Sequence, residues 1–287
     1  MPSIRRLAVI GAGTMGHGIA QVAAMAGHRV TLFDVDFVAA ETGLQRIRKN
    51  LDKGVQLGKV SDATRETTLA ALRTSTELAD AVVEADLVIE AAPESMELKR
   101  SIFADVEARV DPEAILASNT SSLSIATLAS GLRHPSRLLG LHFFNPVHLM
   151  TLVEVVHGPQ TAPEVLEAAV KFVERLDREP IVVKDSPGFA SSRLGVVLGL
   201  EAMRMVEEGV ASPQDIDRAM ELGYRHPMGP LKLTDLVGLD VRLGIARYLY
   251  ETLGSEAFRP PEILERMVAE GHTGKKSGRG FYDWGEG

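Results

Sequence analysis

Gly11-Ala12-Gly13-Thr14-Met15-Gly16 directly follows the apolar run LAVI and opens a helix-like segment. Few six-residue stretches restrict a fold so strongly. Gly11 has to turn the chain sharply, a side chain at Gly13 would hold a pyrophosphate away, and Gly16 lets the helix lie close to its strand. The helix N-terminus that follows Thr14 and Met15 aims unpaired N–H groups and a partial positive charge at the same place. Asp34 closes the next strand-like run, 18 residues beyond Gly16, where a carboxylate accepts hydrogen bonds from an adenosine ribose. Its charge repels a 2′-phosphate, and no arginine follows closely to offset it. The pattern therefore points to NAD rather than NADP.

Further apolar, strand-like runs at residues 85–91, 114–118 and 137–144 join those at 7–10 and 29–34. Helical stretches at 17–26, from about 37 onward, and at 98–110 separate them. Strands divided by helices predict parallel pairing with right-handed crossovers, hence an α/β fold with a Rossmann-like, doubly wound, mostly parallel sheet. After Ile181-Val182-Val183 the composition changes. Lys184-Asp185-Ser186-Pro187-Gly188 is turn-rich, and LGVVLGLEAMRMVEEG, IDRAMELG and VRLGIARYLYETLG keep helical periodicity. The reading assigns a nucleotide-binding domain to residues 1–184 and an all-helical domain to residues 185–287.

A chain of 287 residues, 45% of them hydrophobic, has material for a sizeable core, which excludes wholesale disorder. No run approaches the roughly 18 uncharged apolar residues of a membrane span, so no membrane partner is expected. There is no cysteine, which removes disulfides, zinc-thiolate sites and thiol catalysis together. The N-terminus enters its first strand without a secretory signal pattern, and a cytoplasmic location is the expectation. Net charge is −8, and the basic residues cluster only at Lys275, Lys276 and Arg279. That cluster reads as a solvated loop, and no nucleic-acid partner is expected.

Polar information is densest between Ser118 and Glu154. Ser118-Asn119-Thr120-Ser121-Ser122 follows the strand-like AILA, at the end where open α/β sheets bind ligands. An ordinary N-cap cluster for the next helix explains the same residues. His142 ends another apolar run, among Leu141, Phe143 and Phe144. A desolvated imidazole needs a partner, and Glu154 in LVEVV is the candidate. A carboxylate on one ring nitrogen fixes the tautomer and leaves the other to act as a general base. From the residues alone, a structural histidine explains the position equally well. The remaining histidines show no ligand spacing, so no metal site is expected.

The chain resembles the NAD-dependent L-3-hydroxyacyl-CoA dehydrogenases, particularly the short bacterial 3-hydroxybutyryl-CoA branch of that family. The stretches that carry the resemblance are GAGTMGHGIAQVAAMAGHRVTLFD, ADLVIEAAPESMELKRSIFADVE, ILASNTSSLSI, GLHFFNPVHLMTLVEVV, DSPGFASSRL, HPMGPLKLTDLVGLD and KKSGRGFYDW. The resemblance implies an NAD domain joined to a helical domain that forms a homodimer, with an acyl-CoA as substrate. It implies that His142 is the catalytic base, Glu154 its orienting carboxylate, and Ser121 the hydroxyl at the substrate's 3-oxygen. Asn145 falls on the asparagine of HFFNP, close to the reacting centre. Asp34 matches the ribose-binding acid, and Glu94, Lys99 and Asn119 match cofactor-contacting positions. Lys49 and Lys53 lie in the arm that binds coenzyme A, although exposed helix lysines at i,i+4 need no such role.

Two departures stand out. Ser192 replaces the asparagine of the family's P-G-F-x-x-N-R, trading an amide with two donors for a hydroxyl with one. His148 replaces the second proline of HFFNPVP. The expected reaction is reversible oxidation of an (S)-3-hydroxyacyl-CoA to the 3-ketoacyl-CoA. The alternatives are a gulonate-type sugar-acid dehydrogenase on the same scaffold and a non-catalytic NAD-binding protein.

Overall fold

In the computed structural model, which describes residues 4–285, the chain divides into two compact units, Met1–Ser186 and Pro187–Gly287. The first unit runs β1 (Arg6–Ile10), α1 (Gly16–Met25), β2 (Arg29–Phe33), α2 (Phe37–Gln56), α3 (Asp62–Ala70) and β3 (Leu72–Ser75). It continues through α4 (Leu78–Val82), β4 (Leu87–Glu90), α5 (Met96–Glu107), β5 (Ile115–Ser118), α6 (Ile125–Ala129) and β6 (Leu138–Phe143). β7 (Leu152–His157), α7 (Pro163–Arg175) and β8 (Glu179–Lys184) complete it.

The eight strands form one sheet in the order β3-β2-β1-β4-β5-β6-β7-β8. Its order turns at β1, between β2 and β4, as a doubly wound sheet requires. β1, β4, β5 and β6 are buried along almost their whole length, which is why they read as unbroken apolar runs. Every neighbouring pair is parallel except β6 and β7, and that pair makes the sheet mostly rather than wholly parallel. Loop length is the reason. Residues 144–151 join the two strands, and a parallel return needs a crossover of a dozen or more.

Side-chain caps set several helix starts. Asp36 accepts from the Val38 N–H at 2.7 Å, Ser61 caps α3 and Ser95 caps α5. The Ser95 cap explains why α5 begins at Met96 rather than at Leu98 as its periodicity suggests. α1 differs: its first turn carries neither a side-chain cap nor an acidic residue. Its leading N–H groups face the glycine turn with no carboxylate of their own helix to compete for them.

The second unit contains α8 (Ser191–Glu207), α9 (Pro213–Gly223), α10 (Pro230–Val237), α11 (Leu239–Leu253) and α12 (Glu262–Ala269). Val196, Leu200, Met203, Leu231, Leu243 and Leu249 are among the apolar side chains of its core. Two buried carboxylates fasten its C-terminal segment. Asp235 accepts from the backbone of Phe281 and Tyr282 and from the Trp284 indole, and Asp217 accepts from the Tyr282 hydroxyl. Among the described residues, no helix is long and apolar enough to cross a membrane.

Candidate active site

The parallel run β2-β1-β4-β5-β6 brings five strand ends to one edge of the sheet. The glycine turn follows β1, Asp34 follows β2, Glu94 lies in the loop after β4, Ser121 after β5, and His142 sits near the end of β6. Gly11 has φ +99°, a conformation that side chains rarely adopt. A Cβ on Gly16 would lie 1.7 Å from the Gly11 carbonyl oxygen, so helix and turn touch backbone to backbone. A Cβ on Gly13 would meet nothing within 4 Å. The space over Gly13 is open, as a docked pyrophosphate needs. Asp34 accepts from the Ala12 N–H at 2.9 Å through Oδ2, which fixes the carboxylate beside the turn. A mostly apolar cavity of about 790 Å³ adjoins these groups, lined by Gly11, Gly13, Thr14, Met15, Asp34 and Ala92 among others. An uncapped helix start, an open glycine and an acid at the second strand end fit a dinucleotide.

His142 and Glu154 are direct cross-strand partners in the antiparallel β6–β7 pair. Partners in that register project from the same face of the sheet. The imidazole Nδ1 lies 2.6 Å from Glu154 Oε2, with Glu154 fully buried and His142 5% exposed. The Phe144 ring is tilted against the imidazole at 4.5 Å between centroids. Asn119, also buried, receives the Phe143 N–H on its amide oxygen at 2.9 Å and donates its own N–H to the Glu90 carbonyl. It thereby ties the end of β5 to β4 and to the residue beside His142.

Between the glycine turn and the histidine lies a charged network. Glu90 pairs across the sheet with Ile10 on one side and Ser118 on the other. Its carboxylate takes the Lys99 ammonium at 2.6 Å, the Ser118 hydroxyl at 2.6 Å and the Ala92 N–H at 2.7 Å. Burial pushes the Glu90 carboxyl up, against the opposing pull of Lys99, Ser118 and Ala92. Lys99 is 1% exposed and also donates to the Ala92 carbonyl, while its Nζ lies 3.4 Å from Glu94 Oε2. Glu94 Oε1 in turn accepts from the Thr120 hydroxyl at 2.6 Å and the Ser121 N–H at 2.9 Å.

The structure thus brings the glycine turn, Asp34, Glu94, Asn119, Ser121 and His142 to one edge, and places Lys99 beneath it. The N-cap explanation for residues 118–122 finds a different answer: the cap of α6 is Ser124, and Thr120 instead folds the turn by accepting from Ser122 and Leu123. Asn145 is exposed, in a cis bond to Pro146. Lys49 and Lys53 are exposed on α2, one turn apart. Burial, with the positive charges of His17, Arg178 and Lys53, holds the His148 imidazole below its ordinary value. Ser192 lies half-buried in the first turn of α8, in the second unit. Glu90 escapes a reading of the sequence, although an acid inside the apolar ADLVIEA is a visible signal for it.

Comparison with known proteins adds an independent line. The family description 3-hydroxyacyl-CoA dehydrogenase, NAD binding domain, matches residues 6–186, and the C-terminal domain of the same family matches residues 188–284. The chain is 43% identical over 283 residues to a probable 3-hydroxybutyryl-CoA dehydrogenase of Bacillus subtilis, covering 99% of this chain and 98% of that one. The crystal structure of Mycobacterium tuberculosis FadB2 superposes with a TM-score of 0.95 at 43% identity, covering 98% and 99% of the two chains. That of (S)-3-hydroxybutyryl-CoA dehydrogenase PaaH1 from Ralstonia eutropha gives a TM-score of 0.96 at 40% identity, covering 99% and 100%.

Proposed function

The chain belongs to the 3-hydroxyacyl-CoA dehydrogenase family, and from that premise we propose that it oxidises (S)-3-hydroxyacyl-CoA, 3-hydroxybutyryl-CoA foremost, reversibly to the 3-ketoacyl-CoA. The buried contact between His142 Nδ1 and Glu154 Oε2 carries the reading. Glu154 holds the ring as the Nδ1–H tautomer, so Nε2 is the atom that takes the proton of the 3-hydroxyl. The imidazolium formed is stabilised by the same carboxylate, and it returns the proton to the 3-carbonyl oxygen in the reverse direction. General acid–base help of this kind contributes about 10²–10⁴-fold. The Ser121 hydroxyl donates to the same oxygen as charge builds there, and Asn145 stands close to the reacting centre.

Gly11, Gly13, Thr14, Met15 and Gly16 would hold the pyrophosphate of NAD, Asp34 its adenosine ribose, and Glu94, Lys99 and Asn119 its nicotinamide half. NAD, when bound, supplies the hydride acceptor for carbon 3. Lys49 and Lys53 would meet the phosphates of coenzyme A, and Ser192 the acyl portion. A homodimer formed through the helical unit, in the cytoplasm, completes the proposal. Exposed Leu233, Leu236, Val237 and Val241 on α10 and α11 supply an apolar surface for that association.

Steady-state rates with acetoacetyl-CoA, longer 3-ketoacyl-CoA thioesters and free sugar acids, each with NADH and NADPH, test the reading. The expected outcome is highest kcat/KM for the four-carbon thioester with NADH. Turnover of sugar acids alone would replace the proposal with the gulonate-type reaction, and NAD binding without any turnover would leave a non-catalytic protein. Light scattering checks the dimer.

A further inference from the structure

We infer that Glu90 and Lys99 are positioning residues: the buried ion pair they form locks Glu94, and through Glu94 it sets where Ser121 stands at the reacting edge. The inference rests on Ser121 acting at the substrate's 3-oxygen. Lys99 is 1% exposed and its ammonium meets three oxygens of the protein, Glu90 Oε1, the Ala92 carbonyl and Glu94 Oε2. Two of these contacts are hydrogen bonds, and the third, to Glu94 Oε2 at 3.4 Å, is an ion pair. Within the protein, its link to Ser121 runs through Glu94.

Glu94 is itself 40% exposed on its side chain, and an exposed carboxylate on a loop samples several rotamers unless it is held. Here it is held from two sides. Lys99 anchors Oε2 from beneath, and Thr120 Oγ1 and the Ser121 N–H bind Oε1 from the neighbouring strand end. Glu90 fixes Lys99 in turn, and its own place is set by β1, β4 and β5, three strands of the rigid sheet. The chain of contacts is thus sheet, Glu90, Lys99, Glu94, Ser121. A buried ion pair gives little stability over two well-packed apolar residues, so stability alone does not account for two charges at this place. Displacing a reacting group by about 1 Å can cost about 10²-fold in rate, which is the scale on which such a lock matters.

Four proteins test it: the wild type, Ser121→Ala, the double variant Glu90→Gln/Lys99→Met, and the triple combination. Removing both charges together leaves no unpaired buried ion, so the double variant keeps its fold. The inference expects a melting temperature close to wild type, with kcat for acetoacetyl-CoA reduction lowered about 10²-fold. It also expects Ser121→Ala to be costly in the wild-type background and nearly silent in the double variant, since coupled residues are not additive. A double variant with wild-type kcat, or a Ser121→Ala penalty of equal size in both backgrounds, overturns the inference. If Ser121→Ala is silent even in the wild type, the reading of Ser121 beneath it fails, and the inference falls with it. Should the double variant not fold, Ser118→Ala carries the test. It removes one hydroxyl from Glu90, and a several-fold fall in kcat at unchanged melting temperature supports the lock, whereas wild-type kcat overturns it.

Discussion

Glu154 sits directly opposite His142 in the antiparallel β6–β7 ladder, and its carboxylate reaches the imidazole Nδ1 at 2.6 Å. The contact is set by sheet register and not by a flexible loop, so it exists before any ligand arrives. Glu154→Gln keeps the shape and removes the charge that favours the imidazolium. The expected result is a kcat lowered by about 10²-fold or more, a changed pH profile, and NADH affinity within about threefold of wild type. His142→Gln should lower kcat further, toward the full 10⁴-fold. An unchanged pH–rate profile in Glu154→Gln would remove the carboxylate from the mechanism.

Gly13 and Gly16 separate binding from folding. A Cβ at Gly13 points into open space, whereas one at Gly16 would lie 1.7 Å from the Gly11 carbonyl oxygen. Gly13→Ala should therefore melt like the wild type and bind NADH at least about tenfold more weakly, because the methyl occupies the place of the pyrophosphate. Gly16→Ala forces the backbone to shift and should cost about 1–3 kcal/mol or more in stability. Calorimetric melting together with NADH titration checks both. Equal effects of the two substitutions on melting would contradict the geometry.

Glu107 gives the fold a predictable acid limb. Burial by itself raises its carboxyl. The Arg133 and His134 N–H groups at 2.8 and 2.9 Å, with the Arg137 guanidinium at 3.4 Å, outweigh burial and hold it below the ordinary value of 4.5. A carboxyl lowered in the folded state contributes stability that is fully present above its unfolded value and lost as pH falls through the folded one. Glu107→Gln should cost about 2 kcal/mol at neutral pH and progressively less below about pH 4.5. Urea unfolding at neutral pH and in that acid range reads this directly. A pH-independent difference would mean that the ionised carboxylate is not what those donors stabilise.

The parts of this molecule that its sequence discloses are those whose physics is local. The glycine turn is legible because LAVI, three spaced glycines and a helical run are contiguous, and the central strands because burial on both faces leaves them uniformly apolar. β3 and β8 are harder to read. Both are edge strands, partly exposed along their length, so Leu72–Ser75 and Glu179–Lys184 lack a continuous apolar run. The antiparallel turn of β7 is a matter of loop length, and no periodicity in LVEVV announces it. His142 and Glu154 can be proposed as partners from their settings, but only their register makes them neighbours. The Glu90–Lys99–Glu94 network is the least legible. Each residue occupies an ordinary position by itself, and the pairing exists only because Lys99 on α5 reaches Glu90 at the end of β4.

Asp34 offers a test of coenzyme choice. Its Oδ2 is held by the Ala12 N–H at 2.9 Å, so the carboxylate stands at the end of β2 beside the glycine turn. A fixed negative charge there favours the two hydroxyls of an adenosine ribose and opposes a 2′-phosphate. Asp34→Ser removes the repulsion but supplies no cation, so NADH should lose affinity while NADPH improves only modestly. Asp34→Arg adds the cation and should bring NADPH level with NADH or ahead of it. The ratio of kcat/KM for the two coenzymes, measured with acetoacetyl-CoA at fixed ionic strength, should move by about 10²-fold or more between wild type and Asp34→Arg. That span corresponds to about 3 kcal/mol, the scale of adding one charge-assisted hydrogen bond and removing one repulsion. A ratio that stays at its wild-type value in both variants would place the adenosine ribose away from Asp34.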